Sequence, residues 1–176
     1  MKINWLQKLL VVVFVIPFCT NVYAQNAPAL EYLCTINVKL GVPMVPGDGP
    51  HGFRRIIPIA GGAVAGEKLQ GEVLPGGADW QIIRKDGVAE ISAEYQIKTT
   101  DGVIIYLKNT GLRIASPEVA ARLGKGEMVD PKEYYFRMVT VFEAPTGKYD
   151  WLNKSVFIAN GTKNPQDVEI NIFKVL

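Results

Sequence analysis

Metal-ligating and nucleophilic side chains are scarce in this chain. It holds one histidine, His51, and two cysteines, Cys19 and Cys34. One His and one Cys without paired spacing cannot assemble the four ligands of a zinc site, so neither a metal nor a cofactor is expected. No Gly-x-Ser-x-Gly occurs, which removes the strand–turn–helix elbow of a serine hydrolase. The glycines of residues 61–77 are followed by neither Gly-Lys-Ser/Thr nor a helical stretch, so phosphate-loop chemistry is excluded as well.

A membrane-crossing run is also missing. Residues 9–18 are apolar apart from Pro17, about half of the ~20 residues that a spanning helix needs. Lys2 and Lys8 give a positive start, and Val22-Tyr23-Ala24 puts small residues at −3 and −1 of a cleavage point. Residues 1–24 therefore read as a secretory signal peptide cut after Ala24. Phe18 is too bulky before Cys19 for a lipoprotein site. The expected mature chain, residues 25–176, forms one domain, located in the periplasm or secreted. A chain of this size buries roughly 68–70% of its unfolded surface and needs no disulfide staple.

Charge of one sign is absent from that mature chain. Removing Lys2 and Lys8 from 19 basic residues leaves 17 against 17 acidic ones. Neutrality argues against nucleic acid and against an electrostatic membrane binder once the signal is cut. Cys34, left alone, can form no intramolecular disulfide and reads as a buried structural thiol.

What the chain does have is glycine and short alternating apolar runs. Residues 30–41 alternate, with Tyr32, Cys34, Ile36, Val38 and Leu40 expected on one face. Residues 42–52 are rich in proline and glycine and read as a loop. Strands follow over 53–60, 68–74 and 80–84, and an Asp86-Gly87 turn leads to the cleanest alternation, over 88–99. After Asp101-Gly102 come 103–108 and 109–114, with a kink at Gly111. Ser116-Pro117-Glu118 opens a single short helix that ends by Leu123, before Gly124. Residues 134–143, 155–159 and 167–176 are the remaining strands. No strand–helix–strand unit of about thirty residues exists, so a parallel sheet is excluded. The expected fold is all-β: a single closed antiparallel β-barrel of about nine or ten strands with one short helix, or else a β-sandwich.

Residues 75–81, PGGADWQ, put a carboxylate beside a Trp directly after a flexible turn. If Asp79 faces the lumen, desolvation raises its pKa and fits it for general acid or base work. If it caps the Gly76-Gly77 turn, it is structural. Asp79 and Trp80 are neighbours on one strand, so both face inward only across a bulge. Arg113 and Arg137 are the cationic partners. Arg137 shares a strand side with Tyr135, Val139 and Val141, so it is either ion-paired or an anchor for an anionic ligand. Trp80, Tyr135 and Trp151 are candidate aromatic walls, although Trp151 also suits a core corner. His51 reads as a loop residue or as a lid over a cavity mouth.

Several of these pieces resemble one bacterial family. They are Gly61-Gly62 with Gly66, the run LQGEVLPGGADWQ over 69–81, Asp86-Gly87, Tyr95 with Thr100-Asp101-Gly102, Tyr134 to Arg137, and Trp151-Leu152-Asn153. The chain resembles domain-of-unknown-function family 3237, also called uncharacterised protein family 0311, over about residues 29–176. The resemblance implies a compact antiparallel β-barrel and no established activity. Two departures stand out: Ala60 precedes the paired glycines where a hydroxyl residue is common, and an export signal is not typical of the family.

The expected function is a small-molecule-binding barrel whose ligand is aromatic or anionic. Trp80 and Tyr135 serve as walls and Arg137 as anchor. The alternative is a cofactor-independent lyase, isomerase or hydratase of a small carbonyl or phenolic compound using Asp79. A purely structural protein is a weaker third reading, and the sequence permits a homodimer.

Overall fold

A computed structural model describes residues 27–176; the expected signal peptide and its cleavage point lie outside them. Strands β1 (Leu30–Leu40), β2 (Met44–Gly49), β3 (Gly52–Ala65), β4 (Gly71–Val73), β5 (Ala78–Ile83), β6 (Ala89–Thr99) and β7 (Ile104–Ala115) come first. Helix α1 (Pro117–Gly124) follows, then β8 (Tyr134–Glu143), β9 (Phe157–Lys163) and β10 (Asp167–Val175). All pairings are antiparallel, and β1 pairs with both β10 and β3, which closes the sheet on itself. Closure rules out a sandwich of two open sheets.

Two positions in the ring are each shared by two strands. β2 takes over from β1 beside the first half of β3, and β4 and β5 in turn fill the place between β3 and β6. The ten strands therefore make eight staves.

Side-chain alternation sets which wall each residue joins. Along β6, Ala89, Ile91, Ala93, Tyr95, Ile97 and Thr99 are buried, and the residues between them reach the surface or its edge. Along β8, Tyr134, Phe136, Met138, Thr140 and Phe142 are buried while their neighbours are exposed. β1 carries a bulge between Tyr32 and Cys34. The bulge turns Leu33 inward and leaves Tyr32 outside, so the unbroken alternation expected from Tyr32 to Leu40 begins only at Cys34.

Two boundaries differ from the sequence reading. The loop expected over 42–52 contains β2, which zips onto β3 despite its glycines. β3 does not stop at Ala60 but runs through Gly61-Gly62 to Ala65. Here glycine marks close approach. Gly62 has φ +147, and a Cβ on it would lie 1.9 Å from the Asn37 carbonyl oxygen on β1.

α1 starts as its sequence predicts. The Ser116 hydroxyl accepts from the Val119 amide at 3.3 Å, Pro117 opens the first turn, and Val119 and Leu123 are its buried side. One half of the barrel is filled by a solid core that includes Ile36, Leu69, Ile97, Ile105, Leu107, Phe142, Leu152, Phe157 and Ile172. The other half is hollow.

Candidate functional site

The hollow half is a cavity of about 1000 Å³. Gly41, Gly87, Gly126 and Pro165 border it from four different connections, and α1 contributes Ala120, Leu123 and Gly124. Its side walls are apolar, with Phe53, Ile57, Ile91, Phe136 and Met138 among them.

Charged and polar residues line this cavity from seven strands: Lys39, Arg55, Asp79, Gln81, Tyr95, Asn109, Arg113, Lys163 and Asp167. Strand register places them in rows around the wall. Arg55 pairs with Gln81; Asp79 pairs with Ala93, which pairs with Asn109, which pairs with Thr140. Arg113 pairs with Ala89 and Phe136, four residues along β7 from Asn109.

Asp79 is 9% exposed. Its Oδ1 accepts from the Ser92 backbone amide at 2.9 Å and its Oδ2 from Gln81 Nε2 at 3.1 Å. Gln81 in turn accepts a hydrogen bond from the Arg55 guanidinium. Burial pushes the Asp79 carboxyl above the usual carboxylate range, opposed by those two hydrogen bonds and by the charges of Arg113 and Arg55. Burial pulls Arg113 and Lys163 below their ordinary values. Arg55 depresses Arg113 further, and Arg113 and then Arg55 depress Lys163, while Asp79 opposes the first shift and Asp167 the second. The Nε of Arg55 is buried and has no hydrogen-bond partner among the described residues. Among those residues no group of three His, Cys, Asp or Glu is placed to hold a metal ion.

Of the residues singled out from sequence, the cavity contains Asp79 and Arg113. The remaining ones lie elsewhere. Trp80 follows Asp79 with no bulge between them, so it points out and is 40% exposed. Tyr135 and Arg137 belong to the outer wall; the Arg137 guanidinium sits over the Tyr135 ring at 5.3 Å and donates to the Phe136 carbonyl at 2.9 Å. The side of β8 read as inward, Tyr135-Arg137-Val139-Val141, is the solvent side, because the larger apolar set of the opposite parity fills the barrel. Trp151 sits in a 3-10 turn, Asp150–Lys154, tilted against Phe157 in the solid half. His51 is exposed in the β2–β3 turn, away from the cavity lining. Asp79 does not cap the Gly76-Gly77 turn; its partners are on β6 and β5. Cys34 is fully buried, and burial pushes its thiol up to about 12.

Sequence reasoning gave no site role to Arg55, Gln81, Tyr95, Asn109 and Lys163, although Gln81 and Tyr95 stand among the pieces that carry the family resemblance. Asn109 was the most findable. It continues the buried parity of Ile105 and Leu107, where a polar residue is out of place. Arg55 follows Arg54, and a pair of like residues gives no clue to which one faces inward.

A closed antiparallel barrel, half solid and half hollow, with basic side chains gathered in the hollow, defines the class of this protein. Within that class the chain belongs to DUF3237, described as a protein of unknown function, whose family model matches residues 28–175. An UPF0311 protein of Rhodopseudomonas palustris is 41% identical over 151 residues, covering 85% of this chain and 99% of the relative. The crystal structure of a conserved protein of unknown function from that organism superposes with TM-score 0.80 at 40% identity, covering 85% of this chain and 97% of the other. A beta-barrel like protein from Acinetobacter baumannii AYE superposes with TM-score 0.76 at 37% identity, covering 88% and 99%.

Proposed function

We propose that the barrel binds a small organic anion, with Arg55, Arg113 and Lys163 as its counter-charges. One observation carries this reading: three cationic side chains enter a single apolar-walled cavity, and one of them keeps a buried, unpartnered N–H. Arg55 and Lys163 have partial partners in Gln81 and the Asn164 and Pro165 carbonyls, but buried cations with incomplete bonding remain costly. A carboxylate or enolate accepts charge-assisted bonds, bidentate from an arginine, and removes that cost. The volume suits one ligand of drug-like size.

Calorimetry with a panel of aromatic and aliphatic carboxylates tests this. Arg113→Met should weaken the best binder by about ten- to a hundred-fold, the loss expected for a hydrogen bond to a charged group. Native mass spectrometry of protein from its host should show a retained small acid. An empty cavity in that spectrum, together with no binding from the panel, would overturn the reading.

A second reading is favoured by the buried Asp79, whose carboxyl burial pushes above the usual carboxylate range. In it, Asp79 moves a proton on a small carbonyl or phenolic compound while an arginine holds the developing oxyanion, as in a lyase, isomerase or hydratase. We also propose that the barrel works outside the cytoplasm. The signal-like residues 1–24 support this, and the family match begins downstream of them.

A further inference from the structure

Resting on the anion-binding reading, we infer that the cavity has a second, uncharged polar subsite formed by Tyr95 and Asn109. Its ligand is then two-ended: an anionic group toward Arg113 and a hydroxyl or carbonyl group at the far end.

Both residues line the cavity, and they are 2% and 0% exposed. They belong to one directed chain of hydrogen bonds. Thr140 Oγ1 donates to Asn109 Oδ1 at 2.6 Å, and Asn109 Nδ2 donates to the Tyr95 hydroxyl oxygen at 3.0 Å. With its oxygen toward Thr140, the amide turns its nitrogen to Tyr95. A phenol carries one O–H donor and an amide nitrogen carries two. Along this chain the Tyr95 O–H and one Asn109 N–H remain unspent on any described residue. Cys34 is the titratable neighbour of Tyr95, and a protonated thiol is only a weak acceptor. Each group already has one partner, and each keeps a donor that a group in the cavity can take.

The spacing sets the ligand's length. Asn109 and Arg113 have the same parity on β7, four residues apart, which is roughly 13 Å at ~3.3 Å per residue. The position between them with that parity is Gly111, which contributes no side chain. Once the arginine side chain reaches inward, an aromatic ring with a short acid arm bridges the remaining gap. Tyr95 and Asn109 carry no charge that could offset a second carboxylate, so the far group is neutral.

Isothermal titration of cinnamate, 4-hydroxycinnamate and 4-carboxycinnamate tests the subsite. The wild-type protein should bind the hydroxyl compound about ten-fold more tightly than cinnamate, and the dianion more weakly than either. In Tyr95→Phe the hydroxyl preference should vanish while cinnamate binding persists. Equal affinity for cinnamate and its hydroxyl analogue in the wild type overturns the subsite, and that comparison needs no variant to fold. A preference that survives Tyr95→Phe also overturns it. Failure of all three while other carboxylates of the panel bind overturns the two-ended ligand, failure of the whole panel with an empty native spectrum overturns the anion reading itself, and cinnamate binding without a hydroxyl preference overturns the subsite alone.

Discussion

Asp79 holds a carboxyl where its charge is least stable. Its folded-state pKa lies above the unfolded value, chiefly through burial. The folded form therefore keeps the proton longer, and this residue's contribution to stability falls as pH rises through that interval. Asp79→Asn keeps an oxygen able to accept from the Ser92 amide and removes the buried charge. The variant should melt with wild type near pH 3.5 and a few degrees above it at pH 8, as differential scanning calorimetry at both pH values will show. A variant that melts lower at pH 8 would mean that Arg55 and Arg113 more than offset the burial cost. Under the proton-transfer reading the same variant loses turnover while staying folded. Asp79 was legible because its glycine turn flagged it. Arg55 and Lys163 were not, because an arginine or lysine in a strand reads as solvated until the parity of that strand is known.

At the scale of the element, alternation was the legible signal and its phase was the hidden one. β6 follows its pattern residue by residue because every apolar position there has one parity. β8 has apolar residues on both sides, so Tyr135-Val139-Val141 looked as good a lining as Phe136-Met138-Phe142. Only the closure of the sheet, which puts one parity inside, decides between them. The glycines misled in a similar way: Gly61-Gly62 read as a break because a pattern cannot tell a turn from a tight crossing. That difference is measurable. Gly62 and Gly76 both have positive φ, +147 and +114, but only Gly62 faces a neighbour within 4 Å. Gly76→Ala should cost about 1 kcal/mol from backbone strain alone. Gly62→Ala adds a clash with β1 and should cost at least about 1–3 kcal/mol more. Urea midpoints of the two variants give the comparison, and equal shifts would remove the close-approach argument.

For the whole molecule, the barrel was legible and the division of its interior was not. Closure follows from many short antiparallel strands with no covering helices, whereas a cavity is a packing deficit that no local pattern records. The export proposal also belongs to this scale. Intact-mass analysis of protein recovered from a periplasmic or culture fraction should give a chain that begins at Gln25. Full-length protein confined to the cytoplasm would count against it. Closure itself bears on export through the seam of the ring, where Leu30 lies opposite Val175 and the Leu176 amide donates to the Ala29 carbonyl. The first stave waits for the last, so the ring cannot close before β10 has been made. Under the export proposal, a chain still short of that strand carries no closed barrel to unthread.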